Sequence, residues 1–563
     1  MKKLVAGLLA TAMILGCVAC KSEETTKKKK KAKKTTEKTE ETGDPTDEST
    51  DEPTDEPTAD PSADPTDDPT DDPNGDPAAP TIGEVHEPFD TVSVPDPVTF
   101  PSGLTIRHDL EKIQLGRDVL FRAYGDADPD SEFGEINYVK AKADQLYIIE
   151  DGPIQDAVSS VFDAVATNAI DLYRTRLDAF LATQQNGPLG ASSSYNNRAV
   201  VFRADSEVFS CIMYETDFCE DFYDENSSCA NFRYADGSTI ALADVVTDMD
   251  ALVMHVSDDM DPENYFYTDT IEALKDGSVT WALLYDGIYI LHYGKVPVIG
   301  NEDMFDLSSF GATPETYSIQ ADHNNEIIWD VDEDGYLDDI RITANIDDQT
   351  ESVERLVISV NSDQYVYTDN EIIDLSLDCG FASDRLENYL IRTDYGFFLV
   401  VALESYFWDH TCIFRIDQDG VMLLFTGEFS IVDACDPDNV LVSDVAYITG
   451  LEGTRESCRI SDIGYPAANT IFKDVYSGPY KTKIDLPANE TNLLTMEIGD
   501  EVTVPAGTMV APIYYVEGAG LLVMRILDPD DSKTSYVVME TDGEFGVAGY
   551  HAYEGFYGVM FGE

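Results

Sequence analysis

Apolar side chains recur every three to four residues from Ile154 to Phe180, through Val158, Val161, Phe162, Val165, Ala169, Leu172, Tyr173 and Leu177. Asp156, Ser159, Asp163, Thr167 and Arg174 fall on the other face. This period predicts one long amphipathic helix, ended near Asn186-Gly187-Pro188. A strand around Leu146–Ile149 precedes it and stops at the Asp151-Gly152 turn. Strands follow at Ala199–Tyr214 and Asn231–Ser238, a helix begins at Leu242–Val246, and a hairpin pairs Trp281–Tyr285 with Ile288–Tyr293 about Asp286-Gly287. Residues 100–300 therefore combine one long helix with several strands, an α+β unit.

Farther on the pattern is strand-like. Phe397–Leu403 and Thr411–Ile416 are apolar runs, and Asp417–Gly420 turns the second onto Val421–Phe425. A β-rich domain is expected over 303–478. From 480 to 563 short alternating strands, beginning with Ile498–Pro505, resemble a small SH3-like β-barrel of bacterial surface proteins.

The N-terminus is patterned differently. Lys2 and Lys3 precede an apolar stretch from Leu4 to Leu15, too short to span a membrane, then Gly16 and Cys17. Ile14-Leu15-Gly16-Cys17 resembles a bacterial lipobox. The resemblance implies a signal peptide over 1–20 and a diacylglycerol on Cys17, with Cys20 as the alternative. Lys27–Lys31, Lys33 and Lys34 follow, either a second contact with an anionic membrane or a solvated spacer. Residues 41–80 repeat Asp-Pro-Thr and Glu-Pro-Thr, and 21–98 as a whole reads as an extended low-complexity linker. The expected location is the outer face of the cytoplasmic membrane of a Gram-positive bacterium.

Charge sharpens this picture. The 563 residues carry 109 acids and 36 bases, a net of −73. Residues 91–563 alone hold 87 acids and 25 bases, so the body itself is at −62. Recognition of nucleic acid through a basic surface is excluded, since phosphate binding needs clustered Lys and Arg. Solubility in a calcium-rich or salty habitat is one reading of the acidity, and attraction of a cationic ligand is the other.

Asp330, Asp332, Asp334, Tyr336 and Asp338 stand at positions 1, 3, 5, 7 and 9 of D-x-D-x-D-G-x-x-D. Side-chain oxygens at 1, 3, 5 and 9 with a backbone carbonyl at 7 can wrap a hard cation, and Gly335 permits the sharp turn. Position 12 is Arg341, not the Glu of an EF-hand. The loop resembles the calcium loops between strands of integrin-type β-repeats. A structural Ca2+ is expected, and a metal-free acidic hairpin is the alternative.

Seven Cys lie beyond the signal region. Cys219 and Cys229 flank an acidic loop and are a candidate disulfide, Cys211 reads as a core residue, and the pairing of Cys379, Cys412, Cys435 and Cys458 stays open. No G-x-S-x-G, S-x-x-K, H-E-x-x-H or P-loop motif occurs, and the seven His are far apart in sequence. Tyr406, Phe407 and Trp408 could stack on sugars, with core packing the plainer role.

The order Arg203–Ser210 (RADSEVFS), Phe232–Val246 (FRYADGSTIALADVV) and Trp281–Tyr293 (WALLYDGIYILHY) resembles an extracytoplasmic bacterial domain of unknown function. It is found in the lysozyme-sensing anti-sigma factor and in some peptidoglycan deacetylases. The resemblance implies, for residues 100–300, an α+β fold with a curved antiparallel sheet packed on one long helix. With the net −62 of the body it points to a non-catalytic surface lipoprotein that binds an extracellular ligand, a cationic lysozyme-like muramidase or a cell-wall component. The alternatives are an envelope glycan hydrolase working with acidic residues and a calcium-stabilised structural surface protein.

Overall fold

Pro153–Gln184 form a 32-residue helix, α1. Pro153 occupies its first position, where the missing N–H goes unused and the fixed φ already suits a helix. In the computed structural model, the described residues are 100–558 apart from 102–104, 108, 128–135, 185–191, 220–221, 347–352, 369–378, 381–387, 406–408, 448–450, 476–477, 494, 528–534 and 543–544. All of them fall in one compact unit. Among them no helix is long and apolar enough to cross a membrane. Cys17, Cys20, the linker and the aromatic triplet 406–408 lie outside the described residues.

The helix packs on a five-stranded sheet of β1 (Leu115–Ala127), β2 (Ile136–Ile148), β3 (Ser193–Ala204), β4 (Val208–Cys219) and β5 (Phe222–Arg233), in that spatial order. Ile154, Val158 and Phe162 meet Leu146, Ile148, Ala199 and Val201. Ala169, Tyr173, Leu177 and Phe180 meet Val139, Ala141, Ala143 and Tyr195. The sheet is mixed rather than wholly antiparallel as expected. The run β2–α1–β3 is a crossover, so β2 and β3 are parallel neighbours.

The next elements form a lobe of their own. Leu242–Asp244 is a single 3-10 turn rather than the start of the expected helix, which begins at α2 (Met249–Asp259). Then come α3 (Tyr267–Asp276), β6 (Trp281–Leu283), β7 (Gly287–Ile290) and β8 (Gly294–Pro297). Asp286-Gly287 turns β6 into β7 as expected, but β7 ends early, at a turn where His292 takes φ 67°. Leu252, Val256, Ile271, Leu274, Trp281, Leu283 and Ile290 share one core.

The middle of the chain stacks two further sheets. One contains β10 (Glu326–Trp329), β11 (Tyr336–Ile346), β12 (Val353–Val360) and β13 (Asp363–Thr368). The other contains β9 (Tyr317–Gln320), β14 (Tyr389–Thr393), β15 (Gly396–Ser405), β16 (Asp409–Asp417) and β17 (Gly420–Gly427). Leu399, Val401 and Phe414 face Trp329, Ile340 and Ile358 of the first. Phe398, Val400 and Ile413 face Ile431, Val440 and Ile460 on the opposite side. A strand buried on both faces has no polar face to show, which is why Phe397–Leu403 is apolar without alternation.

The strands from Ser430–Asp433 to Phe556–Tyr557 join one twelve-stranded sheet, except Gly546–Val547 and Tyr550–His551, which pair with each other. The sheet runs on through residues 478–480, and the described residues of 480–563 close no barrel, unlike the small β-barrel expected there. Two short strands also tie the start of the body to its middle. Phe100–Pro101 pairs antiparallel with Leu337–Tyr336, and Thr105–Ile106 pairs parallel with Ala312–Thr313.

Candidate metal centre and an acidic cleft

The loop between β10 and β11 contains the expected acidic motif. Trp329 and Asp338 are register partners, so the hairpin brings positions 1 and 9 of the motif to one end. Carboxylate oxygens of Asp330, Asp332 and Asp338 all lie within 4.8 Å of one another. Asp330 closes the turn by accepting from the Asp334 and Gly335 N–H groups at 3.1 and 3.0 Å. Gly335, at φ 89°, supplies the left-handed step that a side chain would strain. Asp338 is buried, accepting from Val331 N at 3.0 Å and Asn361 Nδ2 at 2.7 Å.

Burial, reinforced by neighbouring carboxylates, pushes the Asp330 and Asp332 carboxyls upward. Three oxygens held together against their own repulsion suit a hard divalent cation, and the donor set is the one calcium prefers. Two expected ligands stand outside this group, Asp334 through its carboxylate and Tyr336 through its backbone carbonyl. The Asp334 carboxylate is outside the three-acid group and accepts from Tyr336 N at 2.8 Å. Tyr336 opens β11 with an exposed side chain.

The candidate disulfide does not form. Cys219 and Cys229 are both free. On the β4–β5 hairpin Cys219 faces Phe222, while Cys229 faces Ile212. Seven register positions separate them, roughly 23 Å at 3.3 Å per residue, far beyond disulfide reach. The loop between these cysteines is therefore a continuation of the hairpin, not a gap to be bridged. Cys211 is fully buried as expected, and burial pushes its thiol and that of Cys458 up to about 12. Burial raises Cys229 and Cys435 as well, so these thiols are poor nucleophiles.

A second site was not visible in sequence. A cleft of about 600 Å3 opens between α2, the segment Pro297–Met304 and the turn Asp322–Asn324. His255 and His323, far apart in sequence, line it together. Tyr293 lies between them, its ring centroid 5.0 Å from that of His323 and 6.4 Å from that of His255. Tyr293 donates to Asp259 Oδ2 at 2.8 Å, and His323 Nε2 is 2.5 Å from the same oxygen. His323 Nδ1 is closed off from solvent without a partner, so His323 has no open nitrogen to offer as a general base. Asp258, Glu302, Asp303 and Asp322 add further carboxylates to the walls. A motif search could not find this cleft, because its acids come from three separate segments, each resembling any solvated acidic stretch.

No family model matches the chain, and no curated protein matches it. Two solved structures of the DUF3298 family are similar to it. The one from Bacteroides fragilis has 16% identity and a TM-score of 0.25, covering 35% of this chain and 95% of its own. The one from Pseudomonas aeruginosa has 12% identity and a TM-score of 0.23, covering 35% and 97%. The family name denotes a domain of unknown function.

Proposed function

We propose that this chain is a non-catalytic binding protein of the bacterial cell surface, held by a lipid on Cys17 or Cys20. Its acidic body takes a cationic extracellular ligand, a lysozyme-like muramidase or a basic cell-wall component. The observation that carries the reading is the net charge of −62 over residues 91–563, together with the gathering of acids along one cleft. Such a field concentrates cations at the cleft and speeds their encounter. The raised thiols of Cys211 and Cys458 speak against a cysteine nucleophile at those positions. Asp330, Asp332 and Asp338 hold a structural calcium ion that stiffens the β10–β11 hairpin, with no part in chemistry.

The test is calorimetric titration of the full chain with lysozyme at low and at physiological salt, with the lysozyme cleft free or filled by a chitin oligomer. Exposed charges attract little beyond about 8 Å at physiological ionic strength. Binding that survives salt and is displaced by the oligomer is the expected result. Heat that vanishes with salt, or glycan cleavage by the chain alone, overturns the proposal.

A further inference from the structure

Behind the turn at His323 the cleft adjoins a smaller pocket of about 180 Å3, walled in part by Asp286, Lys295, Asp322 and Glu326. Pro297 and Asp322 line both spaces. Asp286 and Lys295 form an ion pair whose side chains are 2% and 1% exposed. Lys295 is also satisfied by the Gln320 carbonyl at 2.8 Å. Asp286 Oδ1 is buried with no hydrogen-bond partner. A carboxylate oxygen removed from water without a donor is destabilising, and the pocket that Asp286 lines offers a donor room to enter.

The fixed charges select the kind of donor. Lys295 is paired with Asp286, and Glu326 is paired with Arg341, so the charge left over is that of Asp322 and, in the outer cleft, of Asp258, Glu302 and Asp303 beside His255 and His323. A donor with positive charge gains from these acids, whereas a neutral hydroxyl gains only the hydrogen bond. The inner volume accommodates an ammonium or guanidinium with part of its aliphatic stem, and is far too small for a folded surface.

We infer that the cleft and the inner pocket form one site for a lysine or arginine side chain presented by a protein partner. The charged end meets Asp286 Oδ1, and the stem lies along Pro297. This inference rests on the cationic-partner reading for the sign of the ligand, and goes beyond it in naming the site.

The full chain is titrated with N-acetyl-lysine amide and N-acetyl-arginine amide, with N-acetyl-glutamine amide as the neutral control. Because Asp286→Asn leaves Lys295 buried without its counter-ion, the primary variant is Ile299→Trp, which fills the inner pocket without altering a charge. A thermal melt checks that it folds. Saturable binding of the basic amides, absent for the neutral one and weakened roughly tenfold or more by Ile299→Trp, is expected, the loss of one charge-assisted hydrogen bond being of that size. Absence of binding, equal affinity for the neutral amide, or affinity unchanged in folded Ile299→Trp overturns the site. Lysozyme binding that Ile299→Trp leaves intact overturns the site but not the acidic-partner reading. Saturable binding of the amides without any binding of lysozyme supports the site and removes lysozyme as the partner.

Discussion

Asp330, Asp332 and Asp338 repel one another at the separations they hold, and only a cation or protons can relieve that repulsion. Calcium at about 100 times its Kd stabilises a folded protein by about 2.7 kcal/mol. The melting temperature is therefore expected to fall on chelation, and Asp332→Ala to abolish the difference between calcium and chelator. Identical calcium-dependent melting in wild type and Asp332→Ala would remove the metal from the loop. Glu326, at the other end of β10, has its carboxyl raised to about 7 by burial and by Asp339, with Arg341 pulling the other way. A raised folded-state value keeps the proton on the native protein when the unfolded chain, near 4.5, has lost it. Its contribution to stability is complete below about pH 4.5 and is lost as pH rises through about 7. Glu326→Gln is expected to flatten the decline in melting temperature over that window, and an unchanged slope would show that another group titrates there.

At the scale of elements, α1 was legible because its apolar positions keep the 3.6-residue period over about seven turns, a pattern few other structures share. Truncating a buried position on its first half, Phe162→Ala, is expected to cost about 3–5 kcal/mol, read as a lower denaturant midpoint at unchanged slope. The strand β1 escaped because Leu115–Ala127 mixes Arg117, Asp118, Arg122 and Asp126 among its apolar residues. Some of those charges face protein rather than water. Arg117 reaches Asp144 at 3.2 Å and Asp433 at 2.8 Å, so its polarity reports a buried network and not a surface. The Asp loop was legible because its ligands are local, whereas the cleft depends on three segments that only the fold assembles.

Across the described residues, the same network ties together segments that the sequence reading placed in separate domains. Asp144 on β2 accepts from Arg117 and from Arg455 at 3.0 Å, binding the helix-backed sheet to the twelve-stranded one. Burial alone would raise the Asp144 carboxyl, but Arg455 and Arg117 outweigh it and hold it at about 2. A depressed value contributes stability above about pH 4 that is lost as pH falls toward 2. Asp144→Asn leaves buried arginines short of charge and is expected to cost about 3–5 kcal/mol at neutral pH. It is also expected to make the acid limb of the stability profile shallower. Two separate unfolding transitions in the wild type, one of them untouched by this substitution, would instead restore independent domains.

The pairing of Phe100–Pro101 with Tyr336–Leu337 gives the molecule a mechanical point of entry. Tension applied through the N-terminus loads this short strand first, and its partner is the segment that closes the Asp loop. An ion clamping Asp330, Asp332 and Asp338 would brace the anvil against which the strand is pulled. Single-molecule stretching from the N-terminus is expected to give a first rupture at higher force in calcium than in chelator. The first contact to break would then hold harder in calcium and yield sooner without it.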